Sequence, residues 1–141
     1  MGADATPIYL LRDVAKAERQ PDAYAFVAPN PRVQAPPQSL AVFADSNEMT
    51  SDQQRSIHED DIVFLDLADT AADRPNNIYA VEHQGRVHLR RLTPLPSGLA
   101  FTADNPTFAL NFIPADQARV LGRAYRIVSD QSPTPSTRLS N

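Results

Sequence analysis

The apolar residues of this chain fall in short runs separated by polar turns, and several runs alternate apolar with polar side chains. Short runs rich in β-branched and aromatic residues are typical of β-strands rather than helices. The predicted strands are PIYLLRD (7–13), YAFVA (24–28), SLAVFA (39–44), DIVFLDL (61–67), NNIYAVEH (76–83), RVHLRRLT (86–93), GLAFTAD (98–104), FALNFI (108–113) and QARVLGRAYRIV (117–128). The last run is long enough for a helix, but its residues favour a strand, and Gly122 indicates a bulge or a close backbone approach.

The polar stretches between these runs predict the connections. Gln84-Gly85 favours a hairpin turn, because glycine adopts a positive φ readily, and Asp104-Asn105-Pro106 is a second strong turn signal. The segment 29–38 holds four prolines and predicts an extended connection, whereas 45–60 predicts a long polar loop. We expect an N-terminal extension over 1–38, a domain over 39–128 and a disordered tail over 129–141.

Composition narrows the possible chemistry. A chain of 141 residues fits one domain, and without cysteine it has no disulfides, zinc–thiolate sites or cysteine nucleophiles. His58, His83 and His88 do not show a metal-ligand spacing, and no glycine-rich loop for phosphate is present. The net charge of −4 makes this chain a poor binder of the nucleic-acid backbone, and no apolar run is long enough to span a membrane. We expect no cofactor, no metal, no membrane contact and a cytoplasmic location.

Two charged clusters have structural interpretations that we favour over functional ones. The acidic run 59–61 suggests a metal site by composition, but as a turn entering a strand it directs at most one carboxylate inward. Arg119, Arg123 and Arg126 could suggest nucleic acid, but in an acidic chain they favour a solvated face or an interface.

From Ser39 onward the order of motifs resembles the C-terminal domain of LexA, λ CI and UmuD, which are self-cleaving serine–lysine peptidases. The motifs are LAVFADSNEM, EDDIVFLDL, IYAVEHQGRVHLRRL, LAFTADNPTF and VLGRAYRIV. The combination of ADNP with the later LGRA is the best single signal, and the long loop after Ser46 is similar to the λ CI branch. The resemblance implies a mainly β, LexA/signal-peptidase-like domain of short twisted strands with little helix.

The departures from this family fall where its chemistry is carried out. The resemblance places Ser46 at the nucleophile position, but Asn47 follows it where the family has methionine. Arg90 stands at the position of the lysine base, and arginine does not deprotonate in proteins. The only lysine, Lys16, lies upstream, and the Ala-Gly or Cys-Gly cleavage site of the family is missing. We therefore expect a catalytically degenerate domain, in which Arg90 either fills the old lysine cavity beside Asp45 or Glu48 or is exposed.

His88 offers an alternative base. It lies two residues before Arg90 and therefore shares its face of the strand, so Ser46 and His88 could form a hydrolytic couple. The sequence identifies no carboxylate to orient the imidazole and no oxyanion hole. A hydrogen-bonded strand histidine is the interpretation we favour.

The resemblance implies an oligomerisation and regulatory domain of a phage- or prophage-type transcriptional repressor, related to SOS-response proteins, that has lost self-cleavage. It implies a homodimer or higher oligomer, with DNA bound only through a helix-turn-helix domain that this chain does not show, and a regulatory protein as a possible further partner. The predicted dimer interface, which the FALNFI strand would adjoin, consists of Arg119, Val120, Leu121, Gly122, Arg123, Ala124, Tyr125, Arg126, Ile127 and Val128. The alternatives are an atypical serine autoprotease or UmuD-like accessory protein, and a peptide-binding module that uses the vestigial cleft.

Overall fold

Short strands account for most of the secondary structure, as the sequence predicts. The computed structural model describes residues 5–50, 57–108 and 110–129. Its strands are β1 (Thr6–Leu10), β2 (Ala23–Ala25), β3 (Ser39–Phe43), β4 (Ile62–Asp66), β5 (Ile78–His83), β6 (Arg86–Leu95), β7 (Gly98–Thr102), β8 (Phe112–Pro114) and β9 (Arg119–Val128). The helical segments of the described residues are two short 3₁₀ turns, neither of which has the length or apolar character of a membrane span.

The strands form one sheet in the order β2-β1-β3-β4-β9-β5-β6-β7-β8. β1 pairs with β3 in parallel, and every other pairing is antiparallel. β9 is the last of these strands in the chain but lies in the middle of the sheet, between β4 and β5. It therefore joins the half of the sheet that contains β3 to the half that contains β6.

Two apolar clusters hold the sheet, and β5 contributes to both. Ile78 and Ala80 pack into the larger cluster, whereas Tyr79 and Val81 pack into the smaller one with Phe101. This division follows from the alternation of side chains along a strand. Because both faces of β5 are buried at these positions, its sequence there is a continuous apolar run.

The N-terminal segment is part of the same structure. The strand predicted over PIYLLRD ends earlier than expected, because the chain turns into a 3₁₀ segment at Leu11–Asp13. This turn buries Leu11 and Val14 in the larger cluster, at 1% and 3% exposure. The segment 1–38, which we expected to be an extension, thus contributes two strands to the sheet, and its described part buries Ile8 as well as Leu11 and Val14.

The predicted turns and the special glycine are confirmed. Gln84 and Gly85 have φ values of 52° and 78° in the β5–β6 hairpin, and the Asn105 side chain accepts the Thr107 N–H at 3.0 Å in an Asx turn. Gly122 lies so close to β4 that a Cβ atom on it would be 2.8 Å from the Asp66 carbonyl oxygen. Both predictions for Gly122 hold, since the β5–β9 register also shifts beside it.

Two further predicted strands differ. YAFVA (24–28) is confirmed only at its start, because β2 spans Ala23–Ala25. FALNFI is confirmed only at its end, where β8 begins at Phe112, and Ala109 lies outside the described residues. The expectation that this strand adjoins β9 is wrong, because β5, β6 and β7 separate the two in the sheet. The predicted tail beyond Ser129 and residues 51–56 of the polar loop also lie outside the described residues.

Candidate functional site

The turn that follows β3 places Ser46 and Glu48 beside β6. The turn is fixed at its start by two backbone hydrogen bonds, in which the Ala44 N–H donates to Asp61 at 2.9 Å and the Ala44 carbonyl oxygen accepts from Asp60 at 2.8 Å, just before β4. The side chain of Met49 is buried in the larger cluster and anchors its end. Ser46 is half-buried and Glu48 is 5% exposed, so both are largely removed from water.

β6 supplies the other side of the site. His88 and Arg90 share one face of the strand, as the spacing predicts, and they are 8% and 0% exposed. The interpretation of Arg90 as an exposed strand residue is therefore wrong. Of the two acidic partners considered for it, the structure shows Glu48.

Glu48 joins the three predicted residues into one network. Its carboxylate accepts the Ser46 hydroxyl at 3.0 Å, the Arg90 Nε–H, and the Nδ1–H of His88 at 3.1 Å. Because a carboxylate can only accept, the His88 contact requires a proton on Nδ1. Burial by itself would raise the pKa of Glu48, but the hydrogen bond from His88 and the charge of Arg90 outweigh it, so this pKa lies below the ordinary value.

Arg90 is held on its other side by the loop between β7 and β8. Its Nη2 donates to the Leu110 carbonyl oxygen at 2.7 Å, and its Cζ lies 5.6 Å from the centre of the Phe108 ring. Its buried Nη1 has no hydrogen-bond acceptor among the described residues. Arg90 thus fixes Glu48 from within the sheet.

The pocket beside Ser46 is very small and is lined mainly by the chain's own apolar side chains. Leu11 packs against the site from the N-terminal segment, and the remaining space, which Leu89 also lines, is about 10 Å³. That volume is about one water-sized probe, so a peptide has no room here unless the N-terminal segment moves. The single lysine, Lys16, is exposed and forms an ion pair at 2.7 Å with Asp13, which is half-buried.

Ser46 and His88 meet the same carboxylate rather than each other. In a serine–histidine couple the imidazole accepts the hydroxyl proton, whereas here the hydroxyl donates to Glu48. No hydrogen bond joins Ser46 to His88 in the described part of the chain. The arrangement therefore contains the orienting carboxylate of a catalytic triad without the nucleophile–base contact.

Comparison of the sequence with models of protein families identifies the family of this chain. The sequence model described as Peptidase S24-like matches residues 11–125, which is most of the chain. The chain belongs to the Peptidase S24-like family. This confirms the resemblance to LexA, λ CI and UmuD as a family, and it makes the protein a LexA/CI-like regulatory or peptidase-like domain. The search of curated proteins finds no match.

The sequence of this Peptidase S24-like domain revealed only part of its site. Motif positions and strand spacing indicate Ser46, His88 and Arg90, whereas Glu48 enters only as a partner for Arg90. The contact of Glu48 with His88 joins residues 40 positions apart, so no local pattern indicates it. The acidic run is also as expected, since Asp61 alone of its members is buried and accepts the His58 N–H at 2.8 Å.

Proposed function

We propose that this domain is the oligomerisation and regulatory domain of a phage- or prophage-type repressor that does not cleave itself. The observation that carries the proposal is the Ser46–Glu48–Arg90 network. A serine attacks a peptide bond only when a base takes its proton. Here the proton points at a carboxylate of lowered pKa, and a guanidinium that stays charged occupies the lysine position.

Intact-mass spectrometry tests whether the chain cleaves itself. The purified chain is incubated at alkaline pH, and its intact mass is followed beside the Ser46→Ala variant. We expect the two proteins to show the same undivided mass throughout. A fragment that forms from the parent chain and not from Ser46→Ala would overturn this part of the proposal.

The half-open edge of β9 supports oligomerisation. β5 pairs with β9 from Arg119 to Arg123, whereas β4 pairs with it from Arg123 to Val128. The backbone from Ala124 to Val128 therefore has one edge that faces away from β4 without a partner among the described residues. An unpaired edge offers N–H and C=O groups to a strand of a second copy, which agrees with the interface predicted on β9.

Sedimentation velocity over a range of concentrations tests this contact. We expect a reversible dimer or larger species, which Tyr125→Asp on β9 weakens. Tyr24→Asp is the matched control, because Tyr24 is 65% exposed on β2 and lies far from β9 in the sheet. A monomer at every concentration, or equal weakening by both variants, would contradict the proposal. DNA binding would come from a separate helix-turn-helix domain or a partner.

The His88–Glu48 contact favours an atypical serine autoprotease as the second candidate. This function needs the Ser46 hydroxyl to turn from Glu48 to the imidazole. It would show itself as cleavage that both Ser46→Ala and His88→Ala abolish. A peptide-binding role receives no comparable support, because the pocket that Leu11 and Ser46 line has a volume of only about 10 Å³.

A further inference from the structure

A second site lies where the sheet opens between β9 and the start of β5. β9 leaves β5 after Arg123, and the space between them is a cavity of about 450 Å³. This size is within the range of small-molecule pockets, about 300–1,000 Å³. Its lining includes Arg91, Arg123 and Arg126, and it includes no acidic residue among those described.

A bulge in β9 brings two of these arginines to one face. Arg126 lies opposite Phe64 and Arg123 lies opposite Asp66, so the two arginines share a face although their spacing is odd. Tyr125 is the extra residue of the bulge, and it also lines the cavity. Strand alternation alone would place Arg123 and Arg126 on opposite faces.

Neighbouring groups fix the three guanidinium groups in place. Arg91 donates to both oxygens of Asp104, with the shortest contact at 2.7 Å, and Arg123 donates from Nε to Asp69 at 2.7 Å. Each of these pairs is close to neutral and orients its arginine, while the other N–H groups of Arg123 have no protein acceptor among the described residues.

Arg126 supplies the positive charge of the cavity, because Asp104 and Asp69 offset the charges of Arg91 and Arg123. Its Nη2 donates to the Ala28 carbonyl oxygen at 2.6 Å, and its Cζ lies 5.4 Å from the centre of the Phe64 ring. It has no carboxylate partner within the described part of the chain. In a protein of net charge −4, the cavity is therefore a local positive site.

We propose that this cavity binds a small ligand through an oxyanion group, a phosphate or a carboxylate, held by Arg123 and Arg126. Planar guanidinium groups recognise both kinds of oxyanion through paired N–H donors. Asn76, Asn77 and Ile78 also line the cavity, so it combines amide-bearing and apolar residues with the arginines. One chain builds the whole cavity, but the backbone edge of β9 that is proposed above to pair with a second copy borders it, so a bound ligand and a second copy would compete for this space.

Titration with inorganic phosphate, pyrophosphate and succinate, followed by the backbone amide signals in NMR, tests the site. Sodium chloride at matched ionic strength is the blank. We expect saturable shifts confined to the cavity residues, with a Kd of about 1 mM or lower for at least one probe. A stronger response to pyrophosphate or to succinate distinguishes a phosphate from a carboxylate ligand. No saturation with any probe, or the same shifts with chloride, would overturn the proposal.

Two matched variants test the role of Arg126 in binding. Arg126→Gln is expected to weaken binding about tenfold or more, which corresponds to the loss of about 1.4 kcal/mol. Arg119→Gln removes the same charge from the same strand, but Arg119 pairs with Glu82 outside the cavity, so its Kd should stay within about twofold of the parent. Equal weakening by both would show diffuse attraction and contradict a built site.

The oligomeric state of the same samples shows whether a small ligand or a second copy of the chain occupies the cavity. If Arg126→Gln dissociates an oligomer and the parent chain binds no probe, a partner chain fills the cavity and the ligand proposal fails. Arg126→Lys keeps the charge and loses the paired donors. Intermediate binding by this variant is expected, and unchanged binding would contradict recognition by the guanidinium group.

Discussion

Arg90 is the largest side chain that the described structure buries completely. Removing a guanidinium from water costs several kcal/mol unless its charge and its N–H groups find partners. Glu48 supplies the charge, the Leu110 carbonyl accepts a further N–H, and the Phe108 ring covers one face. At the scale of single residues, the electrostatic stability of the site therefore depends on one ion pair.

Removal of the acidic partner tests this dependence. Glu48→Gln is expected to lower the free energy of unfolding by about 3–5 kcal/mol, because it leaves a buried charge without its counter-ion. Urea denaturation measures the change. Glu82→Gln is the control, since its pair with Arg119 is exposed and such pairs contribute about 0–1 kcal/mol. Similar effects of the two substitutions would contradict the account.

The same carboxylate predicts a pH dependence. Its pKa is lowered in the fold from the ordinary 4.5, so its contribution is fully present above that value and is lost as the pH falls through the folded pKa. The difference in unfolding free energy between the parent chain and Glu48→Gln should therefore shrink on acidification below pH 4.5. Chemical denaturation at a series of pH values measures it. A difference that grows in acid would have the wrong sign.

What the sequence could predict at this scale depends on distance along the chain. Arg90 and His88 share a face because strand alternation is local, and this was predicted. The sequence does not determine the burial of Arg90, because this burial depends on Phe108 and Leu110, which reach it from the loop between β7 and β8. Glu48 unites the site through contacts that span some forty residues, and such contacts follow from topology rather than pattern.

Among the elements, β9 is the strand that joins the two halves of the sheet. It pairs with β4 and β5 over different halves of its length, and each pairing contains a register shift. The shifts allow one strand to serve two neighbours while the backbone passes close to Asp66 at Gly122. Gly122 is therefore required for close approach rather than for an unusual φ.

Gly122→Ala tests the close approach. A Cβ atom would meet the backbone oxygen of Asp66 at 2.8 Å, and the backbone cannot move aside as a flexible side chain can. We expect a loss of about 1–3 kcal/mol in unfolding free energy, measured by thermal and urea denaturation. Gly85→Asn is the control, because asparagine tolerates the positive φ of that turn and should cost less than about 0.5 kcal/mol. A neutral Gly122→Ala would show that β4 moves freely.

The strands were more predictable than their arrangement. β3 to β7 follow alternation and turn residues closely, whereas β1, β2 and β8 are shorter than the apolar runs that predicted them. β1 is shorter than its apolar run because the run includes Leu11, which packs into the larger cluster from the 3₁₀ turn and is not part of the strand. Nothing local indicates that β1 pairs in parallel with β3, or that β9 enters the middle of the sheet.

At the scale of the whole molecule, the N-terminal segment and the rest of the chain share one core. Leu11 and Val14 pack with side chains of β3, β4 and β6 in the larger cluster. β1 extends the sheet beyond β3, and β2 forms the edge. We therefore expect the segment to unfold together with the domain rather than before it.

Leu11→Ala tests this cooperativity. The substitution removes a side chain that is 1% exposed, and it should lower the free energy of unfolding by about 2–5 kcal/mol in one transition. Leu99→Ala is the control, because Leu99 is 45% exposed on β7 and should change stability by less than about 1 kcal/mol. Urea denaturation with two spectroscopic probes measures both. A small effect of Leu11→Ala, or two separate transitions, would make the segment an independent extension.

The central position of β9 has a consequence for biosynthesis. A nascent chain that has left the ribosome as far as β8 holds β4 and β5 without the strand that joins them. Both then present open edges in water, and such edges pair readily with other chains. Correct assembly therefore waits for residues 119–128, and chains released before that point should be the species most prone to aggregate and most dependent on chaperones.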